Sequence, residues 1–191
     1  MNYYSITLFL HIVSALGFFI ALGLEWTRLR QMRNATTIEQ VHASMRFYKS
    51  VRRLGMASML TIIITGFYMM ASIWGSVAWI LVALGSLVLV IAITVVLTRP
   101  RITAIEPALT SEKGPLSPSL RQLATHPLLW ISIQARVAIA LGIVFLMTVK
   151  PGLGGSLLTI GVATVLGLAV SLPMTRSQRV QEGPAEFETK N

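Results

Sequence analysis

Apolar residues gather in five blocks along the chain, at 5–24, 54–74, 77–97, 128–149 and 153–172, with shorter polar stretches between them. A block of roughly 20 apolar residues, rising about 1.5 Å per residue, crosses a hydrocarbon core about 30 Å thick. In lipid such a block takes the helical form, because a helix satisfies its own backbone N–H and C=O groups. The pattern predicts an all-α, polytopic integral membrane bundle of five transmembrane helices filling residues 1–175.

The stretches between the blocks differ in kind. Thr36 and Thr37 are each followed three residues later by Glu39 and Gln40, the spacing of a helix-capping box. From there Ile38, Val41, Met45 and Tyr48 recur at intervals of three and four, while Glu39, Arg46, Lys49 and Arg53 fall elsewhere around the helix. This predicts an amphipathic cytoplasmic helix over residues 37–53, lying on lipid headgroups and running into the second span. The third connection collects Pro100, Pro107, Pro115, Pro118 and Pro127 together with Gly114. Proline removes a helical hydrogen bond and collides with the preceding turn, so no single long helix is expected there. Residues 176–191 hold Gly183, Pro184 and three glutamates, and read as a flexible cytoplasmic tail.

Charge sets the direction of the bundle. Only 12% of residues are charged against 54% hydrophobic, about half the usual charged share, which excludes a soluble domain. The formal charge of +9 comes from basic residues beside the apolar blocks, the signature of membrane topology, so no nucleic acid is expected as a partner and the lipid bilayer is. Arg28, Arg30, Arg33, Arg46, Lys49, Arg52 and Arg53 crowd the first connection, and Arg99, Arg101, Lys113 and Arg121 the third. The second has no basic residue and the fourth only Lys150. The positive-inside bias then puts the N-terminus outside and the C-terminus in the cytoplasm. The first block lacks the basic lead and small-residue cleavage site of a signal peptide, and reads as a retained span.

Missing residues narrow the chemistry. The chain has no cysteine and no aspartate, so thiolate metal sites, iron–sulfur clusters, covalent haem and disulfides are excluded. Seven acidic residues and three histidines are too few, at these spacings, for a di-metal carboxylate centre or a calcium loop.

Two ionisable groups inside the spans stand out, since such groups are costly in hydrocarbon and face the protein interior. His11 lies in the outer half of the first span, and with Ser14, Phe18, Ala21 and Glu25 follows spacings of three, four, three and four on one helix face. As a functional group it is a haem-iron or metal ligand or a proton carrier; as a structural one it bonds to a Ser or Thr of a neighbouring helix. Arg136 sits eight residues into the fourth span. It either pairs structurally with Glu25 or binds an anionic group, a haem propionate or a lipid phosphate. Weaker candidates are the Thr61, Thr65, Tyr68 and Ser72 stripe, and Met69, Met70 or Met147 as an axial ligand near the depth of His11. His42 and His126 fall at the cytoplasmic side, too far away to share one iron with His11. Small residues at four-residue spacing, Gly17 with Ala21, Ala138 with Gly142, and Ala163 with Gly167 and Ser171, predict close helix contacts, and one such face is a candidate for homodimer or partner-protein assembly.

The first-helix sequence LFLHIVSALGFFIALGLEW, the segment KSVRRLGMAS and the fourth-helix RVAIALGIVFLMTVKPG resemble those of bacterial inner-membrane proteins of unassigned function. In layout the chain is more distantly similar to HemJ-type protoporphyrinogen oxidases and CopD-type copper-resistance membrane domains. The HemJ resemblance implies haem b with His11 as the matching first-helix histidine. It does not extend to the third-helix lysine of that family, because residues 77–97 contain none. Three readings stay open: a redox protein holding haem b, a small transporter or permease component, and a non-catalytic scaffold or accessory subunit.

Overall fold

The apolar blocks seed helices that run well past the block edges. The computed structural model describes residues 3–111 and 116–181. Its helices are α1 (Tyr3–Arg33), α2 (Ile38–Met69), α3 (Ala78–Ile93), α4 (Arg99–Ser111), α5 (Pro118–Ala124), α6 (Pro127–Val149) and α7 (Leu153–Gln181), with π-helical turns at Met70–Trp74 and Thr94–Thr98. Among the described residues there is no β-strand. Five helical stretches are long and apolar enough to cross a membrane: Tyr3–Arg33, Ile38–Trp74, Ala78–Pro107, Pro118–Val149 and Leu153–Ser171.

α6 forms the centre. Its apolar window is 56% buried, against 22% or less for the other four, and Ile133, Ile139 and Leu146 have no exposed surface. α1 packs on one side of α6 and carries α2 beyond it, while α7 and α3 pack on the other side and touch each other. Since lipid tails are as apolar as leucine, close fit rather than burial from water holds such helices together. Small residues supply that fit inside the chain. A Cβ at Gly17 would lie 2.7 Å from Ser58 Oγ on α2, and one at Gly142 3.2 Å from the Ala163 Cβ on α7.

The amphipathic segment and the second span form one unbroken helix. Thr37 occupies the N-cap without a side-chain hydrogen bond; the end is closed from the other direction, by the Thr36 N–H donating to Gln40 Oε1 at 2.9 Å. At the opposite end of the bundle, Gly75 turns the chain at φ 65°, a left-handed value that glycine tolerates. Lys150 caps α6 at φ 53°. Its ammonium lies 4.1 Å from the ring centroid of Trp74, which meets Trp79 edge-on. These contacts tie the two short turns of that end together.

The proline-rich connection is, as expected, not one long helix, since α4, α5 and α6 are separate and residues 116–117 and 125–126 lie outside any helix, but its first part is helical. Helix continues from α3 through the π turn into α4, past Pro100 and with Pro107 inside α4. Pro100 falls two residues after the widened π turn, where hydrogen bonding is already out of α register, and the Arg101 side chain donates to the Leu97 carbonyl at 2.7 Å. Gly114 and Pro115 lie outside the described residues. The tail also differs: α7 stays helical through Gln181, in keeping with the helix-forming Met174, Arg176, Gln178 and Arg179, and 182–191 fall outside the described residues.

Candidate functional site

α1 is the element that gathers the polar groups. Its buried positions are His11, Phe18, Ala21, Leu22, Glu25, Arg28, Leu29 and Met32, which places the 3/4-spaced face against α2 and α6. At about 1.5 Å per residue, His11 and Glu25 stand roughly 20 Å apart along the axis, so they define two sites rather than one.

At the upper site His11 is buried between α1 and α2. Its Nδ1 lies 2.8 Å from Thr65 Oγ1, and Thr65 Oγ1 in turn donates to the Thr61 carbonyl at 2.6 Å. A hydroxyl has one proton, and the short contact to a carbonyl oxygen takes it. On that assignment Nδ1–H donates to Thr65 Oγ1, and in the neutral ring Nε2 then carries the lone pair. The ring also has a hydrogen bond to the backbone of Ile62. Gly66 adjoins the ring, and a Cβ there would sit 3.6 Å from His11 Cε1. The rest of the threonine stripe turns inward on its own helix: Thr61 donates to the Ala57 carbonyl and Ser72 to that of Tyr68.

At the lower site Arg136 Nη1 and Nη2 donate to Glu25 Oε2 and Oε1 at 2.9 and 2.8 Å, a two-pronged pair, and Nε donates to the Ser132 carbonyl at 3.2 Å. Both side chains are buried, 5% and 10% exposed. Close by, Ser132 Oγ and Thr98 Oγ1 lie 2.9 Å apart, joining α6 to the π turn before α4. The structure thus brings Glu25 and Arg136 together and leaves His11 apart from both.

Arg28 is the residue that sequence reasoning missed. It was grouped with the exposed basic residues of the first connection, yet it is only 1% exposed. Nη1 donates to the thioether of Met32 at 3.2 Å and reaches that of Met45 at 3.7 Å, and the guanidinium lies 4.2 Å from the Tyr48 ring centroid. Nε and Nη2 have no hydrogen-bond partner. A signal was present in the sequence: Arg28 stands three residues after Glu25, on the same face.

The remaining candidates have ordinary places. His126 caps α6, its Nδ1 accepting from the Leu128 N–H at 3.3 Å. His42 is exposed on α2. Met147 packs against the core, and Met69 and Met70 are half-buried near the end of α2. Among the described residues no three His or Glu side chains cluster to hold a metal ion.

As an iron ligand His11 fits in its donor chemistry: Thr65 orients the ring, and with Nδ1–H as the donor Nε2 is the nitrogen that would face a metal. Arg136 does not fit as the anion holder of the same group, being about 20 Å from His11 and engaged by Glu25 and Ser132. Comparison with protein-family models, with curated proteins and with solved structures found no match. The resemblance to HemJ- and CopD-type proteins therefore rests on the quoted sequence segments alone.

Proposed function

We propose that the chain is a five-span protein of the bacterial inner membrane, N-terminus outside, that binds haem b with His11 Nε2 as the protein ligand to iron. The observation that carries this reading is the Thr61–Thr65–His11 relay, which orients the imidazole as a supporting hydrogen bond does for a metal ligand. Bound there, haem would supply one-electron redox chemistry. The chain's own part is to orient the ring through Thr65 and to keep it neutral in apolar surroundings. The orientation rests on the basic end of the bundle, with Arg30, Arg33, Arg46, Arg52, Arg53, Arg99 and Arg121, which the positive-inside bias assigns to the cytoplasm.

One observation favours a second reading, a non-catalytic accessory subunit. His11 lines none of the cavities found at the basic end, and its bond to Thr65 is by itself a sound tie between two helices. Transport is supported less, because the hydroxyls of Thr61 and Ser72 close on their own helix instead of lining a route.

Haem content per chain, measured as the pyridine haemochrome of protein purified after haem-supplemented expression, separates the two readings. Wild type should carry stoichiometric haem and His11→Ala should lose it while still inserting. Thr65→Val should retain haem about 10- to 100-fold more weakly, the usual cost of removing a ligand's supporting hydrogen bond. A haem-free wild type, or full haem in His11→Ala, leaves the accessory reading standing.

A further inference from the structure

The charges at the lower site do not balance. Glu25 is the one carboxylate beside two guanidiniums, those of Arg28 and Arg136, and Arg136 already occupies both its oxygens. A buried cation without full hydrogen bonding is costly. Thioethers are weak acceptors and an aromatic face supplies only part of the compensation. Arg28 thus holds two unsatisfied donors and one uncompensated positive charge.

A cavity of about 420 Å³ lies on the other side of Met45, between α2 and α4. His42, Arg46 and Lys49 from α2 and Glu106, Pro107 and Leu109 from α4 line it along with Met45. Lys49 spans to Glu106 at 3.3 Å across the exposed side, so among the described residues the one acidic group of the rim is matched and Arg46 is left in excess. Met45 is common to the cavity wall and to the Arg28 contact. Its unbranched, three-torsion side chain is the kind that moves at low cost.

We propose that Arg28 and the cavity between α2 and α4 form a binding site for a phosphate-bearing anion, with Met45 swinging aside to let an anion oxygen reach Nε and Nη2. Arginine is the side chain suited to this task, since its planar fork matches phosphate oxygens in pairs. The anion is either the headgroup of an acidic phospholipid or a free phosphate compound. The site is independent of any group bound at His11.

The test uses the full chain in lipid-free detergent and follows its thermal midpoint as phosphatidylglycerol, phosphatidylcholine or inorganic phosphate is added. Wild type should gain stability with phosphatidylglycerol and little with phosphatidylcholine. Arg28→Met should bind phosphatidylglycerol about tenfold or more weakly, as expected for losing hydrogen bonds to a charged group, while being no less stable than wild type before lipid is added. Met45→Phe, which leaves the cation in place and blocks the approach, should lose the same response. Arg46→Gln should lose much less, whereas diffuse surface attraction would depend on Arg46 as much as on Arg28. An Arg28-dependent gain with inorganic phosphate alone identifies a free phosphate compound as the occupant; a gain with the lipid only identifies the headgroup. Equal gains in wild type and Arg28→Met, or no gain with either anion, overturn the proposal.

Discussion

Glu25→Ala should cost the bundle about 3–5 kcal/mol, the largest loss expected from any single side-chain truncation here. The carboxylate joins α1 to the central helix through two hydrogen bonds to Arg136. Its removal strands that guanidinium, 4% exposed, beside a second buried one at Arg28. Arg136→Ala should cost a similar amount by stranding Glu25. The double variant should cost little more than either single change, because replacing the pair as a unit strands neither partner, while Arg28 stays buried in all three variants. Reversible unfolding in mixed micelles measures all three. Additive losses would mean that the two groups do not depend on each other, and that the ion pair does not join the helices.

Gly167→Leu should detach α7 from the centre of the bundle. Even a single Cβ at this position would lie 2.8 Å from the Ala138 Cβ, 2.9 Å from the Gln134 carbonyl oxygen and 3.1 Å from Ala135 Cα. Two of these neighbours are backbone atoms of α6 and cannot rotate away, so the helices must separate. Alanine should cost about 1–3 kcal/mol, the range for overpacking a tight contact, and leucine more. Gly161 lies on the same helix with nothing within 4 Å of its would-be Cβ. Gly161→Ala should therefore stay within about 0.5 kcal/mol of wild type or gain slightly from helix propensity. Protease accessibility of the loop at Lys150, together with the thermal midpoint, distinguishes detachment from local strain. Equal behaviour of the two glycines would contradict the packing described.

The five apolar stretches were legible because lipid imposes a length and a composition that sequence displays directly. The meeting of Glu25 with Arg136 was legible for a related reason: a carboxylate and a guanidinium at similar depth, each on a helix face turned inward, have few other partners available. For Arg28 the sequence offered only its spacing of three from Glu25. Nothing in the run of basic residues around it marks the point where α2 folds back over α1, and only that overlap, through Met45 and Tyr48, takes Arg28 out of contact with solvent. The proline connection is broken as its prolines indicate, and only the helical course past Pro100 went unread, for a different cause. Pro100 forbids regular α register, and the chain keeps its helical course by adopting a π turn at Thr94–Thr98, a local solution that no propensity scale contains. Likewise the hydroxyls of the α2 stripe looked equivalent in sequence, and only the crossing of α1 selects Thr65 to meet His11.

The reduced-minus-oxidised visible spectrum of the full chain, purified in detergent after haem-supplemented expression, tests haem ligation at His11 most directly. A Soret band that shifts on dithionite reduction and is absent from His11→Ala is the predicted result. A folded wild-type protein with no such band, or a band that survives in His11→Ala, would contradict it.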